Sequence, residues 1–122
     1  PEVADLLNRI RQPFNVNSIA LAAATVALSD NDYLAKTKQL NDAGMRQLTA
    51  GFDQLGLVYI PSKGNFITVD VKRNGEEVFA DLLRLGVIVR PVTNYGLPKH
   101  IRVSIGLEYE NQRFLTALGQ CL

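Results

Sequence analysis

Arg90 and Arg102 are the residues of this 122-residue sequence whose type and placement could do chemistry. Each lies in a short apolar run, Gly86-Val-Ile-Val-Arg-Pro91 and Ile101-Arg-Val-Ser-Ile-Gly106, where a charge has no obvious structural purpose. A guanidinium is a planar fork of donors that matches carboxylate or phosphate oxygens, so two near one end of a small sheet suit a bound anion. Asp or Glu side chains on neighbouring elements would satisfy the same forks, and the strand pattern alone leaves both readings open. The other reactive residue types offer less. His100, the only histidine, stands at the mouth of a strand and reads as solvated; no Cys/His cluster has metal-ligand spacing. Cys121 is the only cysteine, which excludes a disulfide framework and is compatible with a reducing cytoplasm.

The elements that would position the arginines follow from periodicity. Val87 to Val89 form a β-branched run predicted to be a strand ending at Arg90, before Pro91 removes a ladder donor. In the second strand Ile101, Val103 and Ile105 share one face, and Arg102 and Ser104 the other. Upstream, Ile67, Val69 and Val71 alternate with Phe66, Thr68 and Asp70, after a short strand Leu57 to Ile60 and a turn at Pro61 to Gly64. Helices are predicted over Glu2 to Arg11, stopped before Pro13, and over Ile19 to Leu28, capped by Asn17 or Ser18. A capping box at Ser29 and Asp32 opens a long helix to about Leu55, with Leu40, Gly44, Leu48 and Phe52 on one stripe and Gly56 as its stop. Asn74 and Glu77 cap a helix that Gly86 terminates, and the last helix, about Glu108 to Leu122, buries Phe114, Leu115 and Leu118.

The order after the long helix is strand, strand, helix, strand, strand, helix. Short connections favour antiparallel pairs, so the expected class is α+β: a small antiparallel-rich sheet with helices on one face. Thr68, Asp70, Arg102 and Ser104 would then share the other face, where a second domain could close over Arg102. Length and composition allow one modest core. A formal charge of +1 gives no electrostatic footprint for nucleic acid or an anionic membrane. The longest apolar run, Ile19 to Leu28, has ten residues, about half the ~20 that span a bilayer.

Three stretches carry a family resemblance. "GVIVRPV-NYGLP-HIRVSIGLEYENQRFLTAL" is similar to the C-terminal end of the pyridoxal-phosphate aminotransferases of the aspartate aminotransferase fold, and within them most resembles the histidinol-phosphate aminotransferases. "RQPFNVNSIALAAATVAL" (Arg11 to Leu28) resembles the segment after the family's cofactor lysine, and "PSKGNFITVDV" (Pro61 to Val71) the first long strand of its small domain. The resemblance implies lead-in helices from the large-domain and dimer-interface region over 1–29 and the C-terminal small domain over 30–122. It also implies that the Schiff-base lysine, the aspartate on the pyridine nitrogen and the phosphate cup lie N-terminal to the matching region. No catalytic or cofactor-binding residue and no bound cofactor are therefore expected in this chain, which reads as a fragment opening mid-element at Pro1. Ser62-Lys63 is superficially similar to the family's Ser-x-x-Lys cofactor motif, but its position makes Lys63 an exposed loop residue.

By the same resemblance, Arg102 matches the arginine that grips the substrate carboxylate, and Arg90 a position that answers the extra charge of a phosphate ester. Phe14, Asn15 and Asn17 correspond to a loop near the neighbouring subunit's active site, with no role carried over. The implied protein is a cytoplasmic, homodimeric, pyridoxal-phosphate-dependent enzyme of histidine biosynthesis, acting on amino-acid and phosphate-ester substrates, with no nucleic-acid, membrane or metal partner. The helix from Ile19 to Leu28, apolar on every side, is expected to be poorly covered in an isolated monomer and to drive self-association. Alternatives are an aromatic or phosphothreonine-acting relative, a free-standing amino-acid-binding regulatory module, or an interaction domain whose arginines make only structural pairs.

Overall fold

The computed structural model describes residues 2–11 and 14–122, in two compact units, Pro1–Ala35 and Lys36–Leu122. The expected helix stop at Pro13 lies outside the described residues.

In the first unit, helix α1 (Glu2–Ile10) carries the anticipated stripe of Val3, Leu6, Leu7 and Ile10, all exposed. Helix α2 (Ser18–Ala27) is capped by Asn17, whose side-chain oxygen accepts the Ala20 N–H at 2.8 Å. Its apolar residues are open to solvent, Ile19 being 81% exposed. Helix α3 (Asn31–Gln54) begins one residue later than the expected capping box allows. Asp30, not Ser29, supplies the cap: its carboxylate accepts the Tyr33 N–H at 3.0 Å. The Ser29 carbonyl is engaged by the Asn31 N–H in the turn that leaves α2, so the helix frame starts after it.

In the second unit a four-stranded antiparallel sheet has the order β1-β2-β4-β3, with β1 Tyr59–Ile60, β2 Phe66–Asp70, β3 Arg90–Val92 and β4 Leu97–Ser104. Ile67, Val69, Ile101 and Val103 point to one face and join Leu48 and Phe52 of α3, Val78 and Leu82 of α4 (Gly75–Arg84), and Phe114 and Leu118 of α5 (Glu108–Cys121) in one core. Leu115 packs partly buried against it. The α+β class and the single helix-covered face are as expected.

Two glycines let α3 approach the C-terminal part of the chain. A Cβ at Gly44 would stand 2.5 Å from the Ile105 side chain, and one at Gly51 would stand 2.4 Å from Leu115. Both helices that feed strands end in the same device. Gly56 (φ +64°) and Gly86 (φ +74°) take the left-handed conformation, and the residue after each donates five residues back, Leu57 to Phe52 and Val87 to Leu82, both at 2.9 Å. The N-terminus of α4 is held by Asn74, which accepts the N–H groups of Glu76 and Glu77 at 2.9 and 3.4 Å.

The strands differ from expectation at three places: β1 is confined to Tyr59–Ile60, β4 begins already at Leu97, and the largest change is at β3. Val87 to Val89 are not in the sheet, and β3 begins at Arg90 and runs through Pro91. Val87 is committed to the α4 exit by its bond to Leu82, and Val89 turns its side chain into the core, so the chain meets β4 only at Arg90. Pro91 is tolerated because β3 is an edge strand, and the register shifts between Pro91 and Val92.

Candidate anion-binding face

Residues directly opposite one another in an antiparallel pair put their side chains on the same face, about 4.5–5.5 Å apart at Cβ. Ile60 pairs with Thr68, Thr68 with Arg102, and Arg102 with Arg90. These four therefore form one row across the uncovered face of the sheet. Phe66 and Ser104 flank the row on one side; Asp70 and His100, also a cross-strand pair, flank it on the other. Alternation alone anticipated Thr68, Asp70, Arg102 and Ser104 here. The alignment of Arg90 with Arg102 required the β3–β4 register.

Among the described residues neither arginine makes an ion pair with a carboxylate. The ion pairs that do form join Arg9 to Asp5, Lys38 to Asp42, Arg73 to Glu77 and Asp81, and Arg84 to Asp81. The structural-pair reading of Arg90 and Arg102 therefore finds no acid to carry it. Arg90 is exposed and Arg102 half-buried, with the Arg102 guanidinium carbon 4.9 Å from the centre of the Phe66 ring. Like charges directly opposite are destabilising, and an anion between two guanidinium groups removes that penalty.

His100 corrects another expectation. It lies inside β4, not at a strand mouth, and its Nδ1 is buried without a hydrogen-bond partner. The polar residue that sequence reasoning missed is Asn111, which is 2% exposed. Its side chain accepts the Gly106 N–H at 2.9 Å and donates to the Gly106 carbonyl and to Gln47 Oε1, both at 3.0 Å. It thereby fixes the chain just beyond β4, and a strand-to-helix junction of the form Gly-x-x-x-x-Asn was the only local signal for it. Glu110 assists by accepting the Leu107 N–H at 2.7 Å.

A cavity of about 560 Å3 separates Val87–Val89 from Val103–Gly106 beside the start of α5. Neither Arg90 nor Arg102 lines it, so it is distinct from the arginine row. Among the described residues no group of His, Cys, Asp and Glu could hold a metal ion, and no helix is long and apolar enough to cross a membrane. Lys63 is exposed on the β1–β2 loop. Nearby, Asp42 is held below its ordinary carboxylate value, chiefly by the Lys38 hydrogen bond, with the charges of Arg46 and Lys63 contributing.

The sheet is covered by helices on one face and carries the arginine pair on the other. The family profile of class I and II aminotransferases matches residues 1–118, and the chain belongs to that family. It is 65% identical over all 122 residues to histidinol-phosphate aminotransferase 2 of Pseudomonas fluorescens, and 65% identical over 120 residues to the Pseudomonas aeruginosa enzyme of the same name. The chain spans about a third of the length of these curated relatives, 33% and 32%. The crystal structure of histidinol-phosphate aminotransferase from Sinorhizobium meliloti in complex with pyridoxal-5'-phosphate is similar with a TM-score of 0.79. That likeness covers 99% of this chain and 34% of the other, at 26% identity.

A lysine activated for covalent work is desolvated or set beside another cation in an enclosed site. Lys36, Lys38, Lys63, Lys72 and Lys99 are the lysines of this chain, and each is exposed. The residues present do not fit the attachment of pyridoxal phosphate.

Proposed function

We propose that the chain is the substrate-anion-binding part of a histidinol-phosphate transaminase, which exchanges the amino group between L-histidinol phosphate and 2-oxoglutarate to give imidazole-acetol phosphate and L-glutamate. The observation that carries this reading is the Arg90–Arg102 cross-strand pair without an acid partner among the described residues. Arg102, in the middle of the row, takes the carboxylate of glutamate or part of the phosphate of the second donor. Arg90, at the sheet edge, answers the further charge and third oxygen of the phosphate ester. Residues 30–122 act as the small domain that presents this face to a cleft. Residues 1–29 belong to the large-domain and dimer-interface region of a cytoplasmic homodimer, a reading supported by the exposed apolar residues of α1 and α2. Pyridoxal phosphate, its lysine and its phosphate cup come, on this reading, from outside these 122 residues, and the chain's own contribution is to hold and orient the substrate anion.

The test is Arg90→Gln in a full-length enzyme that contains this chain, with single-turnover rates for each amino donor. One charge-assisted hydrogen bond is worth about 1.5–3 kcal/mol, so histidinol phosphate should lose at least about tenfold in kcat/KM. Glutamate should lose less than ~1 kcal/mol, the scale of a solvent-screened pair. Equal losses would make Arg90 a general site or folding residue, and no loss would favour an aromatic-type relative.

A further inference from the structure

Phe66 is 39% exposed on the sheet's open face, while its neighbour Ile67 is fully buried on the other. An aromatic ring left to solvent beside a polar row invites an explanation, and Arg102 provides it. Phe66 pairs with Ser104, so Arg102 is its diagonal neighbour, within reach of a large side chain. The guanidinium carbon sits 4.9 Å from the ring centre, inside the ~6 Å range of a cation–π contact.

We infer that Phe66 is the positioning residue for Arg102, holding the guanidinium against its ring so that the N–H donors remain free for substrate. This rests on reading Arg102 as the substrate-anion fork. An arginine side chain has many rotamers, and no hydrogen bond or ion pair engages the Arg102 guanidinium among the described residues. A carboxylate partner would restrain it only by consuming the donors the substrate needs. Stacking restrains it through the face of the guanidinium plane and leaves the edges available. Repulsion from Arg90 across the strand pair acts in the same sense, because it disfavours rotamers that bring the two guanidinium groups together.

Two readouts test the inference. In the isotope-labelled chain, the Nε–Hε resonance of Arg102 carries the ring current of Phe66. It should move in Phe66→Leu, which keeps apolar bulk but removes the ring, and stay in place in Phe66→Tyr. In a full-length enzyme that contains this chain, Phe66→Leu should raise KM for glutamate and for histidinol phosphate about two- to fivefold, with a smaller effect on kcat, and Phe66→Tyr should restore it. That rise should vanish when Arg102→Gln is already present. A resonance that does not move, or a KM rise that persists beside Arg102→Gln, overturns the inference while leaving the anion fork intact. An Arg102→Gln enzyme with unaltered KM overturns the fork itself, and with it any function of Phe66 through that residue.

Discussion

Ile67 and Thr68 are adjacent in β2, yet they belong to two surfaces with opposite requirements. Ile67 is fully buried in the core that the sheet shares with α3, α4 and α5. Thr68 stands between Ile60 and Arg102 in a row that ends at Arg90. The covered face is apolar apart from Asn111 near its edge, and every polar atom of the Asn111 side chain has a partner. On the open face, two like charges oppose one another and His100 keeps an unpartnered buried nitrogen. The covered face meets its polar obligations internally. The open face leaves its own unmet among the described residues.

The sharpest test of that division is a pair of substitutions one residue apart. Ile67→Ala removes a fully buried branched side chain and should destabilise the chain by about 2–5 kcal/mol. Thr68→Ala should cost under ~1 kcal/mol. Chemical denaturation of both variants would read the difference, and similar losses would mean that the open face is packed in the same way as the core. Asn111→Leu comes next. Leucine fills the space but leaves the Gly106 N–H without its acceptor, at a cost of about 1–3 kcal/mol. A neutral or stabilising result in the same assay would show that the junction after β4 does not depend on that polar network. The smallest effect has the opposite sign. Arg90→Gln relieves the like-charge pair and should stabilise the chain by about 0.2–1 kcal/mol at low ionic strength. The gain should fade as salt screens the repulsion. If the variant is destabilised at low salt, Arg90 is a structural residue and the contrast between the two faces weakens.

How much of this was legible in the sequence depended on the range of the interaction. Period-2 alternation in Phe66 to Val71 and Ile101 to Ile105 assigned each residue to its face, because a strand offers only two directions. The stops at Gly56 and Gly86 were equally readable, since an αL exit favours glycine for a local steric reason. The sequence does not separate Ser29 from Asp30 as the cap of α3, because both are competent caps. The turn that ends α2 decides between them. The strand expected at Val87 to Val89 differs for a similar reason. β-Branched residues suit a strand, but here the helix exit and the core claim them before a strand partner does.

The sequence by itself determined the α+β order of elements, the residues of each face, and through its resemblance the class I and II aminotransferase family. Those rest on local periodicity, local capping and a motif pattern carried along the chain. Tertiary structure alone decided that Arg90 faces Arg102. That register depends on the register shift after Pro91, the turn Thr93–Tyr95, and Gly96 at φ +75°, which together set how far β4 slides along β3. A one-residue slip would send Arg90 to the opposite face of the sheet, and no pattern within either strand forbids it. The contact of Arg102 with Phe66 was beyond sequence reading for the same reason. Their separation of 36 positions closes only when β2 and β4 pair, so the candidate fork and its support exist only in the folded sheet.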